Sequence, residues 1–247
     1  MHSLMLKIYE ELPRQGPGDR QSTARALRMV PGLPASPEIL DLGCGTGAQT
    51  LDLAALTPGQ ITAVDNHAPF LDKLSENAAA KGLANRIRTL CKDMAELDFP
   101  RGSFDLIWSE GAAYQMGFEN ALKDWRRLLR PGGSLILSEI VWLVRNPPAE
   151  LVEYLKEECP DMQLAEDNLP LIQSAGYELT GQFELPDESW WTDYYTPLEK
   201  TITQMRDKHR GDADAESVLD VLQTEINMHR KYASCYAYVF YVMKRTG

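Results

Sequence analysis

The residues best suited to chemistry are three glycines at alternate positions, Gly43, Gly45 and Gly47, with Asp41 two residues ahead of the first. They follow the apolar run Ile39-Leu40-Asp41-Leu42, which predicts a strand, and precede Gln49-Thr50-Leu51-Asp52-Leu53, which predicts a helix. A glycine-rich turn at that junction lets backbone approach a ligand where any Cβ would clash. In a doubly wound sheet this is where nucleotides bind. The glycines alone do not say which one, because Gly43-x-Gly45-x-x-Ala48 also fits a loose dinucleotide fingerprint. Charge separates the readings. A pyrophosphate sits on the helix N-terminus, and a carboxylate at Asp41 facing the same site would repel it by roughly 1–4 kcal/mol at about 4 Å. The same carboxylate attracts the ammonium and sulfonium of S-adenosylmethionine (SAM), which has no phosphate. The plainer alternative is that Asp41 caps the following turn.

Two further acids stand where a SAM site needs them. Ile61-Thr62-Ala63-Val64-Asp65 predicts a second strand ending in an acid, 22 residues after Gly43, with Asn66 beside it. A carboxylate there accepts from both ribose hydroxyls. Arg86–Cys91 predicts a third strand, followed by Lys92-Asp93-Met94. Asp93 can accept from the adenine amino group, and Met94 can pack on the ring. Each acid taken singly reads equally well as a helix N-cap. Three of them at successive strand ends fit a nucleoside site better.

The chain resembles class I SAM-dependent methyltransferases of the ubiquinone/menaquinone-methyltransferase-like group. The matching residues are Asp41-Leu42-Gly43-Cys44-Gly45-Thr46-Gly47, Val64-Asp65, Asp93-Met94, Phe104-Asp105-Leu106-Ile107-Trp108 and Leu128-Leu129-Arg130-Pro131-Gly132-Gly133, within residues 36–142. The resemblance implies that Gly43, Cys44, Gly45 and Gly47 border the methionine part of SAM. It likewise assigns Asp65 to ribose and Asp93 with Met94 to adenine, and implies a seventh strand running antiparallel beside the sixth. A narrower resemblance, to bacterial methyltransferases without an established substrate, rests on three stretches. These are Leu12-Pro13-Arg14-Gln15-Gly16-Pro17-Gly18, Trp108-Ser109-Glu110-Gly111-Ala112-Ala113-Tyr114 and Tyr236-Ala237-Tyr238-Val239-Phe240-Tyr241. It implies that Arg14 reaches over the cofactor's carboxylate and adds Ser109 to the cofactor set.

Composition agrees. Twenty-five Lys and Arg against 36 Asp and Glu give a net charge of −11, so a basic nucleic-acid footprint is absent. No apolar run approaches the roughly 20 residues of a membrane span, and no signal-peptide core is present. The cysteines at 44, 91, 159 and 235 form no CxxC and no metal-ligand spacing, and read as buried free thiols. The expectation is a cytoplasmic protein that binds no metal.

Further along the chain, strand and helix patterns alternate from 38 to 141, the signature of parallel βαβ units. Two helices precede them, over 3–12 and 19–29; a further helix spans 118–130 and ends at Arg130-Pro131-Gly132-Gly133. Tyr177–Leu185 and Tyr236–Lys244 predict the sixth and seventh strands. The residues between them are too many for a loop, and 197–232 has helical periodicity. The fold expected is an α/β, doubly wound Rossmann-like sheet of seven strands, with N-terminal helices and a helical insertion between strands six and seven. It forms one methyltransferase domain: a helical cover (1–35), a SAM-binding core (36–185), a lid (186–233) and the final strand (234–247). If the aromatic last strand lies at a sheet edge, it offers a homodimer contact.

Methyl transfer from a sulfonium is an in-line displacement whose main demand is alignment. The catalytic candidates are Glu110 and Tyr114, after the fourth strand, with Glu139 after the fifth as a second candidate base. Glu110 reads equally as a ligand of the SAM ammonium or a helix cap, and Tyr114 equally as a pocket wall. His67 follows Asp65 and reads as lining or packing; His209 and His229 read as surface residues of the insertion. The substrate candidates are Trp142, Trp190, Trp191, Tyr194 and Tyr195, aromatics that stack on a flat ring, enclose a cation or simply pack the insertion. A small-molecule acceptor is expected. The alternatives are a SAM-binding protein without such activity and an RNA or protein methyltransferase.

Overall fold

The computed structural model describes residues 2–247. Seven strands form one sheet: β1 (Glu38–Leu42), β2 (Gln60–Asp65), β3 (Ile87–Cys91), β4 (Phe104–Glu110), β5 (Leu129–Trp142), β6 (Tyr177–Glu184) and β7 (Tyr236–Arg245). Their spatial order is β3-β2-β1-β4-β5-β7-β6. The first five pair in parallel, and β7 runs antiparallel to both neighbours. The chain leaves β1 toward β2 on one side and resumes at β4 on the other, so a crevice opens where the strand order reverses.

The helices follow from apolar spacing and caps. They are α1 (His2–Glu10), α2 (Arg20–Arg28), α3 (Ala48–Leu56), α4 (Ala68–Ala80), α5 (Phe118–Arg126), α6 (Ala149–Leu155) and α7 (Asn168–Ser174). In α5, Phe118, Ala121, Leu122 and Trp125 recur at helical spacing and are buried against the sheet. The α2 helix starts because Asp19 Oδ1 accepts the Ser22 N–H at 2.8 Å. Between β6 and β7 the insertion forms α8 (Glu188–Trp190), a π-helical turn (Trp191–Tyr195), α9 (Thr196–Lys208) and α10 (Ala213–Tyr232). The α1 helix packs on α4 and α10, and so joins the N-terminal segment to the insertion.

Three expectations are corrected. The helix expected over 118–130 ends at Arg126, and Leu129 already pairs with Phe104 ahead of a register shift, so the Arg130-Pro131-Gly132-Gly133 turn lies within β5. The aromatic last strand is not an edge: β7 lies between β5 and β6 and is buried over most of its length, so it offers no pairing surface to another copy. Of the four cysteines, Cys44 is buried, Cys159 and Cys235 are half-buried and Cys91 is exposed.

Below the glycine loop, Leu74 of α4 is fully buried, and a Cβ on Gly47 would lie 2.1 Å from its Cδ1. Gly47 also has φ +87°, so glycine is required there twice over. Leu74→Ala is expected to lower unfolding free energy by about 2–5 kcal/mol, read as a lower urea midpoint at unchanged slope.

Candidate active site

A cavity of about 800 Å³ opens at the C-terminal ends of β1, β2 and β4 and extends beneath α1 and the insertion. One end is the glycine loop. Gly43, Cys44, Gly45, Asp65, Asn66, Asp93 and Met94 all line it, as does His67. Asp65 is held by backbone: its Oδ2 accepts the Gly45 N–H and its Oδ1 the His67 N–H, both at 2.9 Å. Asp93 also caps its own turn, with Oδ1 accepting the Ala95 N–H at 2.8 Å. The cap and ligand readings of these acids are therefore compatible. His67 Nε2 lies 2.8 Å from Glu10 Oε1, tying β2 to α1.

The segment after α1 closes this end. Gln15 Oε1 accepts from the Thr46 N–H at 2.8 Å and the Thr46 hydroxyl at 3.0 Å, while its Nε2 donates to Tyr9 O at 3.0 Å. Arg14 lines the cavity and is buried; its Nη1 donates to Glu110 Oε2 at 3.0 Å. Arg14 Nη2 has no hydrogen-bond partner among the described residues, its nearest anion being Asp52 Oδ2 at 3.8 Å. Glu110 departs from the expectation of a free base. Its Oε1 accepts from Thr23 Oγ1 at 2.8 Å and Trp108 Nε1 at 2.9 Å, so with Arg14 three donors engage the carboxylate.

Five other expected site residues do not line the cavity. Asp41 is fully buried beneath the loop, where its Oδ2 accepts from Thr50 Oγ1 at 2.5 Å. Burial pushes its carboxyl up to about 7, with the Glu110 charge adding and the Thr50 bond opposing. It braces the loop against α3. Ser109 is also fully buried and donates to Leu42 O at 3.0 Å, a link between β4 and β1. Gly47 is the N-terminal cap of α3, turned toward α4. Trp142 pairs with Tyr236 at the end of β5, and Trp191 packs outward under Arg230, 5.1 Å from its ring centre. Trp191 faces away because successive residues on a helix point to different sides, whereas Trp142 shares a sheet face with Ile140 and Tyr236 but lies beyond the cavity lining.

The far end is aromatic. Trp190, Tyr194 and Tyr195 line it as expected, joined by Tyr9, Tyr114, Tyr154, Tyr236 and Tyr238. Trp190 lies 5.3 Å from Tyr238 and 5.7 Å from Tyr236, ring centre to ring centre, and Tyr194 lies 4.8 Å from Tyr195. Sequence reasoning named no role for Tyr236 and Tyr238, although their alternate spacing on a strand already puts them on one face. It also missed Glu225, whose Oε1 accepts from the Tyr194 hydroxyl at 2.8 Å. His229 is corrected: it is buried, stacked on Trp190 at 4.2 Å and bonded to Asp187 and Tyr236. Its spacing from Leu222 and Ile226 is that of one helix face, the signal that was available. Glu139 is buried in a side recess that shares Tyr114, Ile140 and Cys159 with the cavity, and burial pushes its carboxyl up to about 8. Burial likewise raises the Tyr114 hydroxyl, making it a donor and not a base near neutrality.

Residues 39–133 match the profile of a methyltransferase domain family. The chain has the seven-stranded fold of the solved methyltransferase structures it matches. It is 24% identical over 185 residues to a sterol 24-C-methyltransferase of Neurospora crassa, erg-4, covering 71% of this chain and 48% of that one. It thus spans about half the length of that relative. Among solved structures, YjhP of E. coli superposes with a TM-score of 0.84 at 20% identity, covering 98% of this chain and 99% of that one. A SAM-dependent methyltransferase of Geobacter sulfurreducens, crystallised with S-adenosylhomocysteine, gives 0.78 at 19% identity, covering 92% and 90%. No helix of the described residues is long and apolar enough to cross a membrane, and none of their His, Cys, Asp or Glu groups is arranged to hold a metal ion.

The domain's buried Asp41 sets a pH signature. Its folded pKa of about 7 exceeds the unfolded value of 3.8, so the native state binds the proton more tightly. Its contribution to stability is largest below the unfolded value, falls as pH rises toward about 7 and is flat above. Asp41→Asn is expected to gain stability relative to wild type as pH rises from about 4 to about 7, measured by urea unfolding across that range.

Proposed function

We propose that this protein transfers a methyl group from SAM to a small-molecule acceptor enclosed in its cavity. The observation that carries this reading is the cavity itself, in which the glycine loop, Asp65 and Asp93 at one end adjoin an aromatic chamber at the other. The residues present fit SAM. Both Asp65 oxygens are aimed by backbone N–H groups and each retains a lone pair for a ribose hydroxyl. Arg14 Nη2 is a buried cationic donor without a hydrogen-bond partner among the described residues, suited to the cofactor's carboxylate. Asp93 and Met94 border the adenine end, with Asn66 beside Asp65, and Cys44 and Gly45 the methionine end. When bound, SAM supplies an electrophilic methyl group on a sulfonium.

The chain's own residues then exclude water and orient the acceptor. The insertion over 186–233 and the cover over residues 2–35 wall the chamber, which favours a small acceptor over a macromolecular one. Trp190, Tyr194 and Tyr195 form the acceptor's wall, and Tyr114 donates a hydrogen bond from the side. The finer kinship with quinone methyltransferases rests on the motif residues alone, and a cytoplasmic setting on the free thiols and acidic composition.

Incubation with heavy-methyl SAM and a metabolite extract should yield a labelled small molecule by mass spectrometry; its absence, with S-adenosylhomocysteine bound, would refute the transfer reading. Asp65→Ala is expected to weaken S-adenosylhomocysteine binding by about 1–3 kcal/mol in calorimetry. An unchanged affinity would remove Asp65 from the ribose site.

A further inference from the structure

The charges lining the cavity are divided between its two ends. The basic residues lining the cavity, Arg14, His67 and Lys92, all belong to the glycine-loop end. The chamber end contributes Glu158 at the rim and Glu225 on the inner wall, with Glu139 in the adjoining recess, and no Lys, Arg or His among the described residues. An anionic acceptor would therefore meet only negative charge there.

Glu225 is the most telling of these groups. It is surrounded by protein yet keeps part of its surface on the cavity. Tyr194 donates to it, but no cation pairs with it among the described residues. The basic residues that follow it on α10 are turned outward and paired elsewhere, Arg230 with Glu199 at 3.0 Å and Lys231 with Glu150 at 2.5 Å. His229, behind Trp190, is kept neutral by burial. A carboxylate so placed costs free energy unless a cation joins it. Independently, Glu139 Oε2 is buried with no donor among the described residues. The rings of Tyr9, Tyr154, Tyr194, Tyr236, Tyr238 and Trp190 line the same cavity as Glu225. Ring faces attract cations, most strongly when water is excluded.

We propose that the acceptor is an organic amine, held as its ammonium against Glu225 within the tyrosine chamber and methylated on nitrogen. This rests on the transferase reading above. On transfer, the ammonium N–H bond breaks and its proton passes to a Glu225 oxygen. The freed nitrogen lone pair forms the N–C bond, and the electron pair of the breaking S–C bond stays on sulfur. A tertiary ammonium loses its one N–H proton in the same way and becomes a quaternary ammonium. Burial, which raises the Glu225 carboxyl, suits it to accept that proton.

The test is calorimetry on the S-adenosylhomocysteine-loaded protein, using choline and its neutral tert-butyl analogue as matched probes. Choline is expected to bind roughly tenfold or more tightly than the analogue. Glu225→Gln should abolish most of that preference while leaving S-adenosylhomocysteine affinity and analogue binding unchanged. Should that variant not fold, Tyr154→Leu, at a half-buried ring, is expected to reduce the preference in the same way. Equal binding of the two probes to wild type, or a preference that survives Glu225→Gln, overturns the amine class and leaves the cofactor reading standing. A choline preference without any S-adenosylhomocysteine binding overturns methyl acceptance instead.

Discussion

The cavity depends on one buried ion pair, Arg14 with Glu110. Their side chains are only 7% and 3% exposed, so neither charge is solvated if the other is lost. Removing one partner from such a pair typically costs about 3–5 kcal/mol. The contact joins the N-terminal segment to the end of β4, and the close packing of Gly18 shows how tightly it is built. A Cβ on Gly18 would lie 2.1 Å from Arg14 Nη1. The next links run outward from this point: the Gly18 N–H donates to Ser189 O at 3.1 Å, and the Ser189 hydroxyl donates to Asp19. One ion pair thereby locates α2, the start of the insertion and the roof of the site together.

Electrostatics divide the labour between the two ends of the cavity. At the glycine loop, Glu110 is engaged by Arg14 and Asp65 is tied to backbone, which fixes their positions, while Arg14 Nη2 keeps a free donor among the described residues. Asp41 carries this furthest: as a carboxyl pushed up toward neutrality it supports the loop from beneath without meeting the cavity. At the chamber end the carboxyls have no counter-charge among the described residues, and aromatic rings make up much of the surrounding wall. Such an environment strengthens any charge interaction made within it.

The aromatic chamber is shaped by a local irregularity of the helix. Glu188–Lys208 is continuous, but its second turn is π-helical, from Trp191 to Tyr195. The wider turn shifts the register of the side chains, so that Trp190, Tyr194 and Tyr195 all reach the cavity while Trp191 does not. Turns of this kind occur most often at functional sites. The antiparallel β7 completes the wall from the sheet with Tyr236 and Tyr238, and its central place between β5 and β6 makes that wall rigid.

Local patterning determined much of this protein. Apolar alternation, glycine spacing and the acids Asp65 and Asp93 were enough to locate the strands, the loop and the cavity end beside it, because each depends on contacts between near neighbours in the chain. The helical insertion was also legible, since its length exceeded any loop and its periodicity was helical. Tertiary structure alone decided which way the charged and aromatic side chains face. Glu110 has the composition of a base, yet Arg14 and Thr23, brought from 96 and 87 residues away, make it an anchor. Asp41, beside the glycine loop in sequence, and Ser109, at the end of the fourth strand, turn inward, whereas Glu225, far from every motif, turns toward the cavity. Sequence periodicity sets the face a residue occupies; what that face meets is set by packing between distant segments, and burial of charge then fixes its role.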